Sequence, residues 1–129
     1  HCNGWISALI PIYIKKVLKD NPLFSDSKIV MSIYDDGFAE TFRNGFDKKL
    51  KMPGIAPKDV KILKTTDYVN LMKVAIDFSD AVIFGSEKIN PELEEYVKSS
   101  EKPFLEYHSP ENYVDAYNDF YDSLLKEEK

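Results

Sequence analysis

Apolar positions recur at intervals of three and four residues between Trp5 and Leu18, which is the spacing of one face of a helix. Pro11 lies inside this stretch and removes a backbone hydrogen bond, so the pattern predicts a kinked helix or two shorter pieces. Asn21-Pro22 predicts its end. The apolar face consists of Ile6, Leu9, Ile10, Tyr13 and Val17.

Two short apolar runs predict buried strands. Lys28–Tyr34 (KIVMSIY) is rich in β-branched residues and apolar on nearly both faces, which is typical of a central strand covered from both sides. Ala81–Gly85 (AVIFG) repeats this pattern, and Phe104–Tyr107 predicts a third, shorter strand. Between the first two runs, residues 35–64 carry glycines and prolines and predict turns with short helical pieces such as Ala39–Leu50.

Two helices are predicted between these strands from their start signals. Thr66 or Asp67 can cap the first, whose apolar stripe would be Tyr68, Met72, Ala75 and Ile76. The second begins at Asn90-Pro91-Glu92, where a capping residue, a proline and an acid follow one another, and should run to about Lys98.

A last helix is predicted over residues 111–128, after the start signal Ser109-Pro110-Glu111. Aromatic residues recur on one of its faces, and packing into the core explains that spacing better than stacking on a sugar ring. The residues of this stripe are Tyr113, Tyr117, Phe120, Tyr121 and Leu124.

Strands that alternate with helices require crossover connections. The pattern therefore predicts an α/β fold, a three-layer sandwich with a mostly parallel sheet. The chain of 129 residues has room for a single domain, covering residues 1–129.

Composition excludes several kinds of function. The net charge of −5 would repel a phosphate backbone, so we expect no nucleic-acid partner. The single Cys2 allows neither an intramolecular disulfide nor a multi-cysteine zinc site, which fits a reducing compartment. No apolar run approaches the length of a membrane span and no signal peptide is readable. Together these features predict a cytoplasmic protein that does not bind a membrane.

Two loops are candidate site loops, because ligands of parallel sheets bind at the carboxyl ends of the strands. Tyr34, Asp35, Asp36 and Gly37 follow one strand, and Gly85, Ser86 and Glu87 follow the next. Asp35 and Asp36 could hold a metal or act as acid and base, but neighbouring acids after a strand are more often turn formers that bind their own backbone.

The remaining candidates for chemistry are weak. His1 and Cys2 could form a metal pair, yet no third ligand lies nearby in sequence, so we predict no metal site. His108 has no readable partner and is predicted to lie on the surface. The chain also lacks the glycine-rich phosphate-binding motifs and the G-x-S-x-G motif, and we predict no cofactor.

Three segments in the same order resemble bacterial glycogen and starch synthases. HCNGWISALIPIYIKK is similar to their H-x-H-D-W-H-T-A-L-x-P-x-Y-L-K segment, which explains the proline inside a helix. KIVMSIYDDGF is similar to K-T-V-F-T-I-H-N, and YVNLMKVAIDFSDAVIFGSEKINPEL to N-F-L-K-A-G-I-x-Y-A-D-x-V-T-x-V-S-x-x-Y-A-x-E-I. The last helix resembles the segment that crosses back onto the first domain in complete enzymes of this kind.

The resemblance implies a Rossmann-like domain of GT-B architecture from a retaining glucosyltransferase that uses ADP-glucose. It implies the second half of the N-terminal domain, as a fragment of a longer protein, with the first strands of the sheet absent. The edge left by those strands would be exposed or covered by a copy of the chain. An α-glucan or a nucleotide sugar is the implied ligand, with His1, Trp5, Asp36, Ser86 and Glu87 as candidate substrate-binding residues.

Four positions depart from the motifs of this family. Tyr34 stands where T-I-H-N has a histidine that lies at the transferred glucose, and Asp35 replaces the asparagine. Tyrosine cannot copy the hydrogen bonding or charge of imidazole near neutral pH. Gly4 and Asn3 replace the aspartate of H-D-W and the histidine before it, so two polar groups are lost.

These departures lead to three hypotheses. The first is a degenerate domain that is not catalytic alone and acts in glucan binding or regulation. The second is an active glucosyltransferase completed by a separate chain that carries the donor domain. It is suggested by the helix Asn112–Leu125, which in the resembled family belongs to a two-domain enzyme, and by the lack of a donor-domain counterpart between Glu87 and this helix. The third is a structural domain that self-associates through its tyrosine-rich last helix.

Overall fold

A computed structural model describes residues 1–37, 53–64 and 67–126. Four parallel strands form one sheet in the order β1-β2-β3-β4. The strands are β1 (Cys2–Asn3), β2 (Val30–Ile33), β3 (Ala81–Phe84) and β4 (Phe104–Leu105). The predicted parallel sheet is therefore confirmed, and three of its strands lie inside the predicted runs.

β1 was not predicted from the sequence. It contains only Cys2 and Asn3, which pair with Met31 and Ser32 of β2. A strand of this length is too short to show a period in the sequence. Among the described residues β1 pairs with β2 alone and is an edge strand.

The stretch predicted as a kinked helix or two shorter pieces consists of three short segments. A 3-10 turn spans Trp5–Ser7, α1 spans Ile10–Ile12, and a π-helical segment spans Tyr13–Val17. Pro11 occupies the first turn of α1, where its missing N–H costs no helical hydrogen bond. The proline thus begins a helix rather than kinking one, which corrects the predicted kink. The stretch is divided as expected, but into three pieces instead of two.

Three longer helices follow, α2 (Tyr68–Asp77), α3 (Pro91–Ser99) and α4 (Tyr113–Lys126). Asp67 caps α2 by accepting a hydrogen bond from the Asn70 N–H. Asn90 caps α3 by accepting a hydrogen bond from the Glu92 N–H. The alternative cap Thr66 lies outside the described residues, as does the predicted helical piece Ala39–Leu50. A 3-10 helix spans Pro57–Lys64.

The last helix begins later than predicted. Ser109 accepts hydrogen bonds from the Asn112 and Tyr113 N–H groups through its carbonyl oxygen, so residues 110–112 form a turn before α4. Ser109 therefore accepts these bonds with its backbone and does not cap α4 with its side chain.

The sheet lies between two helical layers, and alternate strand residues face each of them. Met31 and Ile33 of β2, like Val82 and Phe84 of β3, belong to a core shared with α1, α2 and α3. Val30, Ala81 and Ile83 face the other way and contact α4 through a smaller core. The α4 side of that core consists of Leu124, Tyr117, Phe120 and Tyr121. The predicted three-layer α/β fold is confirmed.

Candidate functional site

The carboxyl ends of the strands bring the predicted site loops together. The Gly4 N–H donates to Ser32 O at 3.0 Å, and the Gly85 N–H donates to Ile33 O at 2.7 Å. These bonds continue the parallel pairing one residue beyond β1 and β3. The residues after β1, β2 and β3 therefore start side by side at one edge of the sheet.

Tyr34 lies at the centre of this edge. Its hydroxyl donates to Asn3 Oδ1 at 2.8 Å, across the gap between β2 and β1. Its ring lies against Gly85, where a Cβ atom would come within 2.8 Å of Cδ1 of the ring. The ring can take this position only because residue 85 has no side chain.

Asp36 joins the loops that follow β1 and β2. Its Oδ2 accepts a hydrogen bond from the Trp5 N–H at 3.3 Å, and its Oδ1 accepts one from the Tyr68 hydroxyl at 3.0 Å. The carboxylate thus binds two other segments and not its own backbone, which corrects the prediction that Asp36 is a simple turn former.

Gly4 leaves room for this carboxylate. Its φ of 69° is one that residues with a Cβ rarely adopt, and a Cβ added there would overlap Asp36 Oδ2. Gly4 stands where the resembled H-D-W motif has an aspartate. A carboxylate from the neighbouring loop therefore occupies the space beside Gly4.

Tyr68 is a site residue that the sequence did not reveal. Its position in the apolar stripe of α2 predicted a core residue, and the side chain is indeed buried. Its hydroxyl, however, also lies 3.0 Å from Tyr34 O and so ties both ends of the Tyr34–Asp36 loop to α2. Burial, and then the adjacent charge of Asp36, raise the pKa of Tyr68, so its hydroxyl stays protonated and keeps donating.

A cleft of about 500 Å³ opens beside Tyr34, on the side of the sheet that α4 covers. We call it the aromatic cleft, because four tyrosines contribute to its walls together with polar side chains. Its volume is within the usual range of small-molecule sites. The lining residues are His1, Asn3, Tyr34, Gly85, Tyr107, His108, Pro110, Tyr113 and Tyr117.

The aromatic cleft changes the interpretation of two predicted residues. Tyr113, predicted to be in the core, is 42% exposed and faces the cleft, and its ring meets that of Tyr117 edge-on at 5.4 Å between centroids. His108 lies at the surface, as predicted, but it is half-buried and contributes to the cleft wall. Burial raises the pKa of Tyr117, which keeps this hydroxyl neutral and able both to donate and to accept.

A second cleft of about 460 Å³ lies on the other side of Tyr34, where α2 and α3 begin. We call it the helix-cap cleft, since both capping residues, Asp67 and Asn90, line it. Asp35 and Lys88 also line it. Tyr34 lines both clefts.

His1 holds α4 against the sheet. Its Nε2 lies 2.6 Å from the hydroxyl oxygen of Ser32, a fully buried residue of β2, and its Nδ1 is hydrogen-bonded to the Tyr121 hydroxyl. Both ring nitrogens therefore have partners. In the described part of the chain, no group of three or more His, Cys, Asp or Glu side chains could hold a metal ion, and buried Cys2 has a pKa raised by burial.

The remaining candidates are only partly brought together. Ser86 accepts a hydrogen bond from the Asp35 N–H at 3.0 Å, which links the loops after β2 and β3. Trp5 contributes its backbone N–H, while its ring packs against the core. Glu87 is exposed and, among the described residues, lines neither cleft.

None of the helices in the described ranges is long and apolar enough to cross a bilayer.

Comparison with known proteins gives a consistent family. Residues 1–103 match the family model described as "Starch synthase catalytic domain". The chain is 32% identical to the glycogen synthase of Aeromonas salmonicida (strain A449) over 93 residues, and this aligned stretch covers 72% of this chain and 19% of that protein. It is 31% identical to the glycogen synthase of Thermotoga maritima over 104 residues, and this aligned stretch covers 78% of this chain and 20% of that protein.

The chain thus spans about a fifth of the length of the curated relatives it matches. No solved structure matches it significantly. Because the family match ends at residue 103, the predicted crossover role of α4 is not covered by it and stays a prediction.

Proposed function

Since the chain belongs to the starch synthase catalytic domain family, we propose that it binds an α-glucan in the aromatic cleft and does not transfer glucose by itself. The family makes a glucan and a nucleotide sugar the two ligands to consider. The site residues of this chain favour the glucan, for the reasons that follow.

The observation that carries the proposal is the position of Tyr34. The resembled motif has a histidine here, at the transferred glucose, whereas the Tyr34 hydroxyl is engaged with Asn3 Oδ1 at 2.8 Å. A phenol, unlike an imidazole, does not carry a positive charge. Asn3 is itself a departure from the motif, so two replaced residues satisfy one another instead of presenting polar groups to a reacting sugar.

The charge of the aromatic cleft supports a neutral ligand. Its described lining contains neither lysine nor arginine, the side chains that most often bind the phosphates of a nucleotide sugar. Tyrosine rings offer flat apolar faces for the C–H groups of a pyranose ring, and their hydroxyls can exchange hydrogen bonds with sugar hydroxyls. A neutral oligosaccharide matches this combination better than an anionic one.

Calorimetric titration of the intact natural polypeptide tests the proposal. Maltohexaose should bind with a Kd below about 1 mM, whereas ADP-glucose should give no binding heat. Absence of maltohexaose binding would refute the proposal. Tyr113→Ala and Tyr96→Phe form a matched pair of variants, because Tyr113 lines the aromatic cleft and Tyr96 lies on α3, where its hydroxyl donates to Asp77.

The alternative is an active glucosyltransferase completed by a separate donor-domain chain. The Asp36 carboxylate beside Gly4 favours it, since this group restores a negative charge close to a motif position that lost one. Glucose incorporation into glycogen from ADP-glucose by the complete natural polypeptide would replace our proposal with this one. Self-association through α4 remains a third prediction, although Phe120 and Tyr121 already pack against the chain's own sheet.

A further inference from the structure

We infer that Tyr34 is a specificity-determining residue, a partition that ends the aromatic cleft and restricts it to the terminus of a glucan chain. This inference rests on the proposed function and adds to it which part of a glucan is recognised. It follows from the position of one side chain between two cavities.

The two clefts lie on opposite sides of the carboxyl edge of the sheet. The aromatic cleft is bounded by α4 and the loop after β4, and the helix-cap cleft by the first turns of α2 and α3. Tyr34 lines both, and Gly85 lies directly beneath its ring. A chain that lay in the aromatic cleft and continued over the edge of the sheet would meet this ring.

The partition is held from several directions. The Tyr34 hydroxyl donates to Asn3 Oδ1 at 2.8 Å, which fixes the far end of the ring. The backbone beneath it is fixed as well, since Tyr34 O accepts from the Tyr68 hydroxyl at 3.0 Å and the next N–H donates to Ser86 Oγ at 3.0 Å. Moving the ring aside would break the bond to Asn3, so the side chain resists displacement by a ligand.

A fixed wall of this kind distinguishes chain ends from chain interiors. The terminal sugar of a linear glucan can abut the ring, whereas an internal segment needs an exit beyond Tyr34. A closed ring of glucose units has no terminus to offer. Linear and cyclic glucans built from the same units and linkages should therefore differ in affinity, and Tyr34 should be the cause of the difference.

Calorimetry with maltohexaose and cyclomaltohexaose tests the inference. We expect the natural polypeptide to bind maltohexaose at least about tenfold more tightly than the cyclic form. Tyr34→Ala should reduce this ratio to within about twofold, because the two clefts become continuous. Tyr34→Phe keeps the ring but loses the bond to Asn3, so its ratio should lie between those of the natural polypeptide and Tyr34→Ala.

The outcomes separate the two claims. Equal affinity of the natural polypeptide for both glucans would overturn the partition and leave glucan binding intact. A preference that persists unchanged in Tyr34→Ala would also overturn it, because some other feature of the cleft would then exclude the cyclic ligand. Binding of neither glucan would refute the proposed function itself, and this inference with it.

Discussion

Asp36 Oδ1 accepts a hydrogen bond from the Tyr68 hydroxyl at 3.0 Å, at the junction between the Tyr34–Asp36 loop and α2. The carboxylate and the phenol are far apart in sequence, but they fix one another and the loop that carries Tyr34. The stability of this junction should therefore depend on the protonation of Tyr68.

Tyr68→Phe should lower the free energy of unfolding by about 1–2 kcal/mol at neutral pH, because Asp36 loses a buried hydrogen-bond donor. The pKa of Tyr68 is raised above the ordinary tyrosine value of about 10, so the folded protein retains this proton more tightly than the unfolded chain does. The stabilisation that the protonated Tyr68 hydroxyl contributes is complete below about pH 10 and is lost as the pH rises through the raised pKa.

Urea denaturation at several pH values measures this effect. The unfolding free energy of the natural sequence should decrease above about pH 10, and Tyr68→Phe should show a smaller decrease. Tyr107→Phe, which removes a phenol from an exposed side chain, is the control. Identical alkaline slopes for Tyr68→Phe and the natural sequence would contradict the prediction.

The sequence predicted the parts of the fold that have a strong local signal. β2 and β3 are runs of buried apolar residues, and Asp67 and Asn90 cap their helices through side chains that appear directly in the sequence. β1 has no such signal, because two residues have no period and its pairing with β2 depends on residues about thirty positions away.

The site was predictable in outline only. Strand topology placed Tyr34, Asp36 and Ser86 at one edge, as the structure confirms. The role of Tyr68 was hidden, since a tyrosine in an apolar stripe looks like a core residue whether or not its hydroxyl has a partner. The carboxylate beside Gly4 was hidden too, because Asp36 reaches this space from the loop after another strand.

Tyr113→Ala should weaken maltohexaose binding about tenfold or more, because it removes an aromatic face from the proposed glucan cleft. The side chain is 42% exposed, so its truncation should leave the fold intact. Calorimetry measures the affinity, and far-ultraviolet circular dichroism checks the fold. Tyr96→Phe should bind as tightly as the natural sequence, and equal affinities for all three proteins would place the glucan elsewhere.

Lys102→Met should destabilise the protein by about 1–3 kcal/mol. The Lys102 Nζ donates to three carbonyl oxygens at and after the end of α2, those of Ile76 at 2.6 Å, Asp77 at 2.7 Å and Ser79 at 2.8 Å. Burial lowers the pKa of the Lys102 ammonium group. Replacement by methionine would remove the donor of all three hydrogen bonds.

Thermal unfolding followed by circular dichroism measures the cost of this substitution. Lys98→Met is the matched control, since Lys98 pairs with Glu94 on the exposed face of α3 and should contribute little to stability. A melting temperature lowered equally by both substitutions would show that the carbonyl contacts of Lys102 are not what stabilises this end of α2.

Gly4→Ala should disrupt the site more than Gly37→Ala does. The new Cβ would overlap Asp36 Oδ2, and φ at this position is 69°, so the substitution combines a steric clash with backbone strain of about 1–3 kcal/mol.

Gly37→Ala is the comparison, because its Cβ would meet the Tyr68 ring at 3.3 Å without a positive φ. We expect Gly4→Ala to lower both the unfolding free energy and the affinity for maltohexaose, since displacement of Asp36 also releases Tyr68 and the loop that carries Tyr34. A Gly4→Ala protein as stable as Gly37→Ala would mean that the carboxylate moves aside freely and does not organise the site.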